Sequence, residues 1–165
     1  MSSARDLVGA DDDHLFLAAD EVVVPLAPDA AWALLEGDHQ RRLLAALSRR
    51  FAARDILEEL PDGYRCTTTS TARFGRRRSF ESVVWLDAPH RSVELQLGTR
   101  TELRYTTSYE AVPDGTLVRC EQAYRARSAS FESGAAIGAL QQRAASVVTD
   151  RVRAAARLAA AEPIR

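Results

Sequence analysis

The 165-residue chain contains no lysine and no asparagine, and all 22 of its basic residues are arginine. Together with abundant alanine, this reads as a GC-rich coding bias rather than a chemical signature. Its two cysteines, Cys66 and Cys120, stand alone, with neither a C-x-x-C pair nor the spacing of a metal site. They read as free, half-buried thiols. His14, His39 and His90 are equally scattered, with no H-x-H or H-E-x-x-H, so neither a metal nor another cofactor is expected. The net charge is −1, which lacks the basic excess of a general nucleic-acid binder. No apolar run approaches the roughly 20 residues of a membrane span. The opening "MSSARDLVGADDDH" lacks the basic start and apolar core of a secretory signal, so a cytoplasmic location is expected. No Ser/His/Asp triad, glycine-rich phosphate loop or paired catalytic carboxylates can be argued from spacing.

What is present is an ordinary globular composition, 46% hydrophobic and 27% charged, in a length suited to one domain. Residues 1–13 are small, polar and acidic and are expected to form a disordered tail, with the domain over 14–161 and a short tail over 162–165. "LFLAADEVVVPL" reads as a strand. Pro28 at a first helical position and Asp29 in the first turn then start a short helix, with Ala31, Trp32 and Leu35 on one face. Gly37 ends it, and Asp38 is placed to cap a second helix, "HQRRLLAALSRR", with a stripe of Leu43, Leu44 and Leu47. Six period-two segments follow, punctuated by Pro61-Asp62-Gly63, Gly75, Ala88-Pro89, Gly98 and Pro113-Asp114-Gly115. Helical spacing returns from about Ser133 to Ala161. A curled antiparallel sheet gripping one long helix encloses a cavity where ligands go.

Strand parity identifies a candidate wall. Cys120, Gln122 and Tyr124 share an uncharged face of the last strand. With a four-residue loop over 113–116, Tyr109 falls opposite Cys120, Thr107 opposite Gln122 and Tyr105 opposite Tyr124. Leu103 continues this wall, and Cys66, Thr68 and Ser70 extend it on an earlier strand. A core built for stability favours Val, Ile and Leu. Small hydroxyls on facing strands therefore favour a cavity over a core containing a few internally bonded threonines. The tyrosines serve either as core aromatics or as ligand contacts and proton donors. Glu81, on a face with Ser79, Val83 and Trp85, is a further candidate for the wall. Arg73, Arg76, Arg77 and Arg78 crowd one turn, either as a solvated tip or as a site for an anionic partner.

The element order and "APDAAWALLEGD", with Ala27-Pro28, Trp32, Leu35, Asp38 and the late "PDGT" turn, resemble the START-like (SRPBCC) superfamily over residues 14–161. The resemblance implies an α+β helix-grip fold: a seven-stranded antiparallel sheet around a long C-terminal helix, with two short helices after strand one. It further implies a hydrophobic or aromatic small-molecule ligand and a polyketide cyclase/aromatase-like activity in secondary metabolism. Alternatives within the superfamily are a lipid, quinone or metabolite carrier, and a chaperone-partner or growth-inhibitor-like module. On the enzyme reading, Tyr105, Tyr109, Tyr124 and His39, at the expected cavity mouth, are the catalytic candidates. Trp32, Thr68, Ser70, Glu81, Thr107, Cys120 and Gln122 would bind ligand. Arg76, Arg77 and Arg78 would dock an acyl carrier protein. Trp32 reads equally as a core anchor, His39 as a surface imidazole and Cys120 as a packed thiol.

Overall fold

The structure, a computed structural model, describes residues 2–10, 13–98, 101–126 and 134–162. The period-two segments form strands β1 (Leu15–Val24), β2 (Phe51–Leu60), β3 (Gly63–Thr71), β4 (Arg77–Asp87), β5 (Arg91–Leu97), β6 (Thr101–Val112) and β7 (Gly115–Ala126). All pair antiparallel, in the order β1-β7-β6-β5-β4-β3-β2. A hairpin meander from β2 to β7 is thus completed by β1, which returns to pair with β7. The sheet is helix-grip in type, as the resemblance implied.

Helix α2 (Pro28–Leu35) starts at the expected proline and buries Ala31, Leu34 and Leu35. Helix α3 (Arg41–Leu47) buries Leu43 and Leu44. The long helix α4 (Gly134–Ala161) has 28 residues, on the order of 40 Å at 1.5 Å per residue. Its expected start at Ser133 lies outside the described residues. Its small side chains let α4 settle against β1 and β7, burying Ala144, Val148, Val152, Ala155 and Ala159. The α2–α3 pair closes over its C-terminal half, where Leu34, Leu35 and Leu43 join Val152 and Ala155 in one cluster. Each such aliphatic side chain contributes about 1.5–3 kcal/mol through burial. Trp32 is half-buried and meets Tyr109 edge-on, with ring centroids 5.2 Å apart.

The β6–β7 connection differs from expectation. Val112 pairs with Gly115, leaving a two-residue loop of Pro113 and Asp114, so Tyr109 faces Val118, Thr107 faces Cys120 and Tyr105 faces Gln122. The register moves by two residues, which conserves parity. The same side chains point inward, against different neighbours.

The N-terminal segment also requires a correction. Ala4–Val8, expected within a disordered tail, forms helix α1 with a Ser3–Asp6 capping box. The Asp62 carboxylate accepts from the Ala4 and Arg5 amides at 2.6 and 3.3 Å. At the other end Arg104 Nη1 donates to the Val8 carbonyl at 2.7 Å. A short helix is marginal alone, but Ala4 and Val8 are buried against Val83, Val93 and Leu95 on the convex face of the sheet. Gly63 permits this approach. A Cβ there would strike the Val84 carbonyl and come within 2.8 Å of Ala4 Cβ.

Gly63→Ala is therefore expected to cost about 1–3 kcal/mol by overpacking, measured by denaturant unfolding. His14 sits buried beside Arg104 and Arg125, and burial, reinforced by both guanidiniums, holds its pKa below 6.5 against the pull of Glu102 and Asp13. The unfolded chain takes up this proton first, so the associated stability is full above pH 6.5 and declines as pH falls towards the folded pKa. His14→Phe should flatten that decline in a pH series of Tm values.

Candidate functional site

The first turn after α2 follows an unusual path. Asp38, His39 and Gln40 have φ of 50°, 53° and 64° in succession, a left-handed run costing roughly 1–2 kcal/mol per residue. Asp38 does not cap the next helix as expected. Gln40 occupies that position, without a side-chain cap, and Asp38 Oδ1 instead accepts from Arg41 Nη1 at 2.8 Å. Arg41 also donates through Nε and Nη2 to the Arg54 carbonyl on β2, at 3.0 and 2.7 Å. This clamp holds the strained turn against the sheet. Strain of this kind persists only where the surroundings over-determine it.

The turn delivers two side chains to the interior. Glu36, 5% exposed, accepts at Oε1 from Tyr109 Oη and Ser92 Oγ, both at 2.6 Å, and at Oε2 from Gln40 Nε2 at 2.6 Å. Gln40 Oε1 accepts from Arg54 Nη1 at 3.0 Å. Arg54 also donates through Nε to Thr68 Oγ1 at 2.9 Å and through Nη2 to Glu94 Oε1 at 2.7 Å. Glu94 Oε2 lies 3.6 Å from Arg151 Nη2 on α4, and the Arg151 guanidinium stacks 4.6 Å above the Tyr105 ring. Two carboxylates and two guanidiniums are thus held inside the grip, each on a different element.

Burying an ion costs several kcal/mol, and apolar residues of equal volume are often neutral or stabilising in its place. A charged interior of this kind marks a site better than it explains stability. Burial opposes the charge of Glu94, but Arg54 and then Arg151 outweigh it and hold the carboxyl below its usual range. Burial likewise opposes the charge on Arg54, and Glu94 with smaller contributions reverses this, so the guanidinium remains charged. Tyr105 is pushed up to about 12 by burial. Tyr64 and Tyr109 are raised further, Tyr64 by burial and Tyr109 by burial and then by Glu36. The three phenols are therefore donors at neutral pH. Burial also raises both thiols, Cys66 to about 11, which makes them poor nucleophiles.

Among the described residues Gln122 Oε1 and Arg151 Nε are buried without a hydrogen-bond partner, while the Tyr64 and Ser82 hydroxyls interact with Arg54 and Glu94. Buried polar atoms are normally satisfied. Polar groups lying along the concave face and on the facing side of α4 suit a guest or ordered water carrying donors and acceptors. A surface cleft of about 430 Å³ reaches Glu36 and Tyr64 from outside, between the strained turn and the β2–β3 turn. His39 stands in this mouth, 3.1 Å from Glu59 Oε1 and edge-on to Tyr64 with centroids 4.8 Å apart. A larger apolar groove of about 760 Å³ lies elsewhere, between α2 and the end of α4.

Of the residues expected at the site, Tyr105, Tyr109, Thr68 and Gln122 share the concave face with the network. Thr107 and Cys120 are cross-strand neighbours there, 3.9 Å apart. Tyr124 packs among Leu17, Leu103 and Ala144, towards the start of α4. Ser70 sits at the far end of β3, opposite Arg78, and Arg76, Arg77 and Arg78 are exposed around the β3–β4 turn. Glu81 is not on the interior wall. It shares the convex face with Val83 and Trp85 and binds Arg65. The face it occupies is apolar because α1 covers it.

Glu36, Gln40, Arg54, Ser92, Glu94 and Arg151 were absent from the sequence-based candidates. Arg151 left a trace, since it lies three residues after Val148 and four before Ala155 in the buried stripe of α4. The alternation of "RSVELQL" misdirects, because Val93 and Leu95 face α1 while Ser92, Glu94 and Gln96 face inward.

Together these features define a helix-grip protein with a charged, hydrogen-bonded interior. No protein-family model matches the chain, and none of the curated proteins matches its sequence. Among solved structures it resembles the di-domain ARO/CYC StfQ of the steffimycin biosynthetic pathway (17% identity, TM-score 0.69, covering 88% of this chain and 52% of that one). It also resembles the di-domain ARO/CYC BexL of the BE-7585A biosynthetic pathway (20% identity, TM-score 0.70, 96% and 54%). A third likeness is TTHA0849 from Thermus thermophilus (15% identity, TM-score 0.66, 87% and 97%). The chain spans about half the length of the two di-domain proteins. Its fold is the helix-grip fold of the two ARO/CYC proteins. No helix among the described residues is long and apolar enough to cross a membrane.

Arg54→Met should cost about 3–5 kcal/mol, because Glu94 would stay buried without its partner. Adding Glu94→Leu should recover part of that loss, as read from denaturant midpoints. Glu94→Gln should weaken the acid sensitivity of Tm: a carboxyl depressed in the folded state contributes stability above pH 4.5 that is lost as pH falls through its folded pKa.

Proposed function

We propose that the chain binds an oxygenated hydrophobic molecule of the polyketide class within the grip and acts on it as a cyclase/aromatase-like enzyme. The observation that carries this reading is the buried Arg54–Glu94–Arg151 array, with the Tyr64 and Ser82 hydroxyls against it and Gln122 Oε1 unpartnered among the described residues. A poly-β-carbonyl chain offers an acceptor at every second carbon, and the interior offers matching donors. Guanidinium and phenol groups held in place in the interior stabilise enolate oxygens as charge develops, a contribution of about 2.7–4 kcal/mol per donor in comparable sites. Holding the chain folded supplies a further part of the rate by bringing the reacting carbons together.

In this reading Arg151 and Tyr105 contact substrate oxygens. Arg54 is held by three side-chain partners and positions Glu94. The Glu94 carboxylate stays ionised and anchors the two guanidiniums, since a depressed pKa makes it a weak base. Tyr109 and Ser92 are committed to Glu36 and brace the turn that forms the mouth. His39 exchanges protons with solvent at that mouth.

Native mass spectrometry of freshly purified protein should show a co-purifying oxygenated aromatic or polyketide-sized species, and a consistently empty protein counts against the reading. With a poly-β-ketone substrate, Arg151→Gln and Tyr105→Phe should each lower kcat by about 10- to 100-fold with smaller changes in binding. Binding that survives in wild-type protein without any turnover would reassign the chain as a carrier.

A further inference from the structure

The antiparallel meander places alternate turns at opposite ends of the sheet. One end carries the segment before β2 and the β3–β4 turn. The other carries the β2–β3, β4–β5 and β6–β7 turns. Basic side chains collect on the β2–β4 side of the first end, although the net charge of −1 conceals it. Arg49, Arg50, Arg73, Arg76, Arg77 and Arg78 are all exposed at the first end. None of the six has a side-chain hydrogen bond or ion pair among the described residues. Exposed Glu59, Asp87, Glu110 and Asp114 stand at the other end, on the order of 30 Å away along the strands. The molecule therefore has one basic pole.

At the apex of that pole stands Phe74, 99% exposed. It adopts a left-handed conformation, φ 63°, and Gly75 follows with φ 72°. For a bulky non-glycine residue this conformation is an outlier. It turns the ring out of the hairpin, away from every apolar cluster of the fold. The other half-exposed apolar side chains, such as Leu57 and Phe16, lie along strands rather than on turns.

We propose that this pole docks on an anionic lipid surface, with Phe74 entering the headgroup–acyl boundary and the arginines engaging lipid phosphates. Charge complementarity calls for an anionic partner. The apolar component chooses among anionic partners. A stable protein interface buries about 800 Å² per side around a packed core, whereas here one ring projects alone within a collar of guanidiniums. A bilayer interface accepts such a lone wedge, and the apolar stems of the arginines follow it while their heads remain at the phosphates. Docking in this orientation leaves the mouth at His39, on the acidic pole, facing water. The proposal is independent of the chemistry inside the grip.

The test is co-sedimentation of the full chain with vesicles of phosphatidylglycerol in phosphatidylcholine, and with phosphatidylcholine alone. The wild-type chain should bind the anionic vesicles and not the neutral ones, with binding weakening as salt is raised. Arg76→Gln/Arg77→Gln/Arg78→Gln should reduce binding about 100-fold, from roughly fivefold per charge. Phe74→Ser should reduce it about 10-fold. Both variants should keep the wild-type Tm, because the altered side chains are exposed and make no side-chain hydrogen bond or ion pair among the described residues. Phe74→Trp should show a blue-shifted emission on anionic vesicles beyond the background of Trp32 and Trp85. Absence of binding to anionic vesicles, equal binding to neutral ones, or an unshifted Phe74→Trp spectrum in the bound state would each overturn the proposal. Capture by an acidic carrier protein without vesicle binding would also overturn it and return the arginines to protein docking.

Discussion

The Arg54–Glu94 ion pair is the contact on which the interior depends. It lies inside the grip, and its geometry is set by three elements at once. β2 supplies the arginine, β5 the carboxylate and β3 the Thr68 hydroxyl that takes the remaining Nε proton. Gln40 completes the set from a turn that would not otherwise adopt three left-handed residues in succession. Removing one charge leaves its partner in a low-dielectric space, so the pair couples the short helices, the turn and the far half of the sheet into one unit. Arg41, which binds both Asp38 and the Arg54 carbonyl, makes this coupling run through backbone as well as side chains.

Helix α1 has a consequence larger than its five residues. By covering the convex face of β4 and β5, it gives Val83, Val93 and Leu95 an apolar environment outside the grip. The polar residues that alternate with them are then forced towards the interior. A sheet with only one buried face would hide its apolar alternates there and leave Glu94 in water. With both faces covered, the apolar half can sit on the outside and the site can be built from the polar half. The cost of the buried charges is offset where the packing is conventional, along α2, α3, α4, β1 and β7.

The division of labour extends to the ends of the molecule. The acidic pole holds the mouth, the strained turn and the His39–Glu59 contact, while the basic pole holds the exposed phenylalanine. A cleft at the His39 end reaches Glu36 and Tyr64.

Most of the architecture was legible from local patterns. The strands at 51–60, 91–97 and 101–112, the helix beginning at Pro28 and the long C-terminal helix follow from period and from turn residues, because these depend on neighbours close in the chain. The inward set Tyr105, Thr107, Tyr109, Cys120 and Gln122 was legible because parity survives a two-residue slip in register. The pairing was not, since Pro113-Asp114-Gly115 is compatible with loops of different lengths. Helix α1 was hidden in a polar segment whose stability comes from Asp62 and Arg104, distant residues that local composition does not reveal. The placement of Glu81 and the roles of Glu36, Arg54 and Glu94 had the same obstacle. The sequence by itself determined where strands and helices run and which side chains share a face. Only the tertiary structure decided which face looks inward, because that depends on what covers the opposite face, and the cover comes from segments remote in sequence.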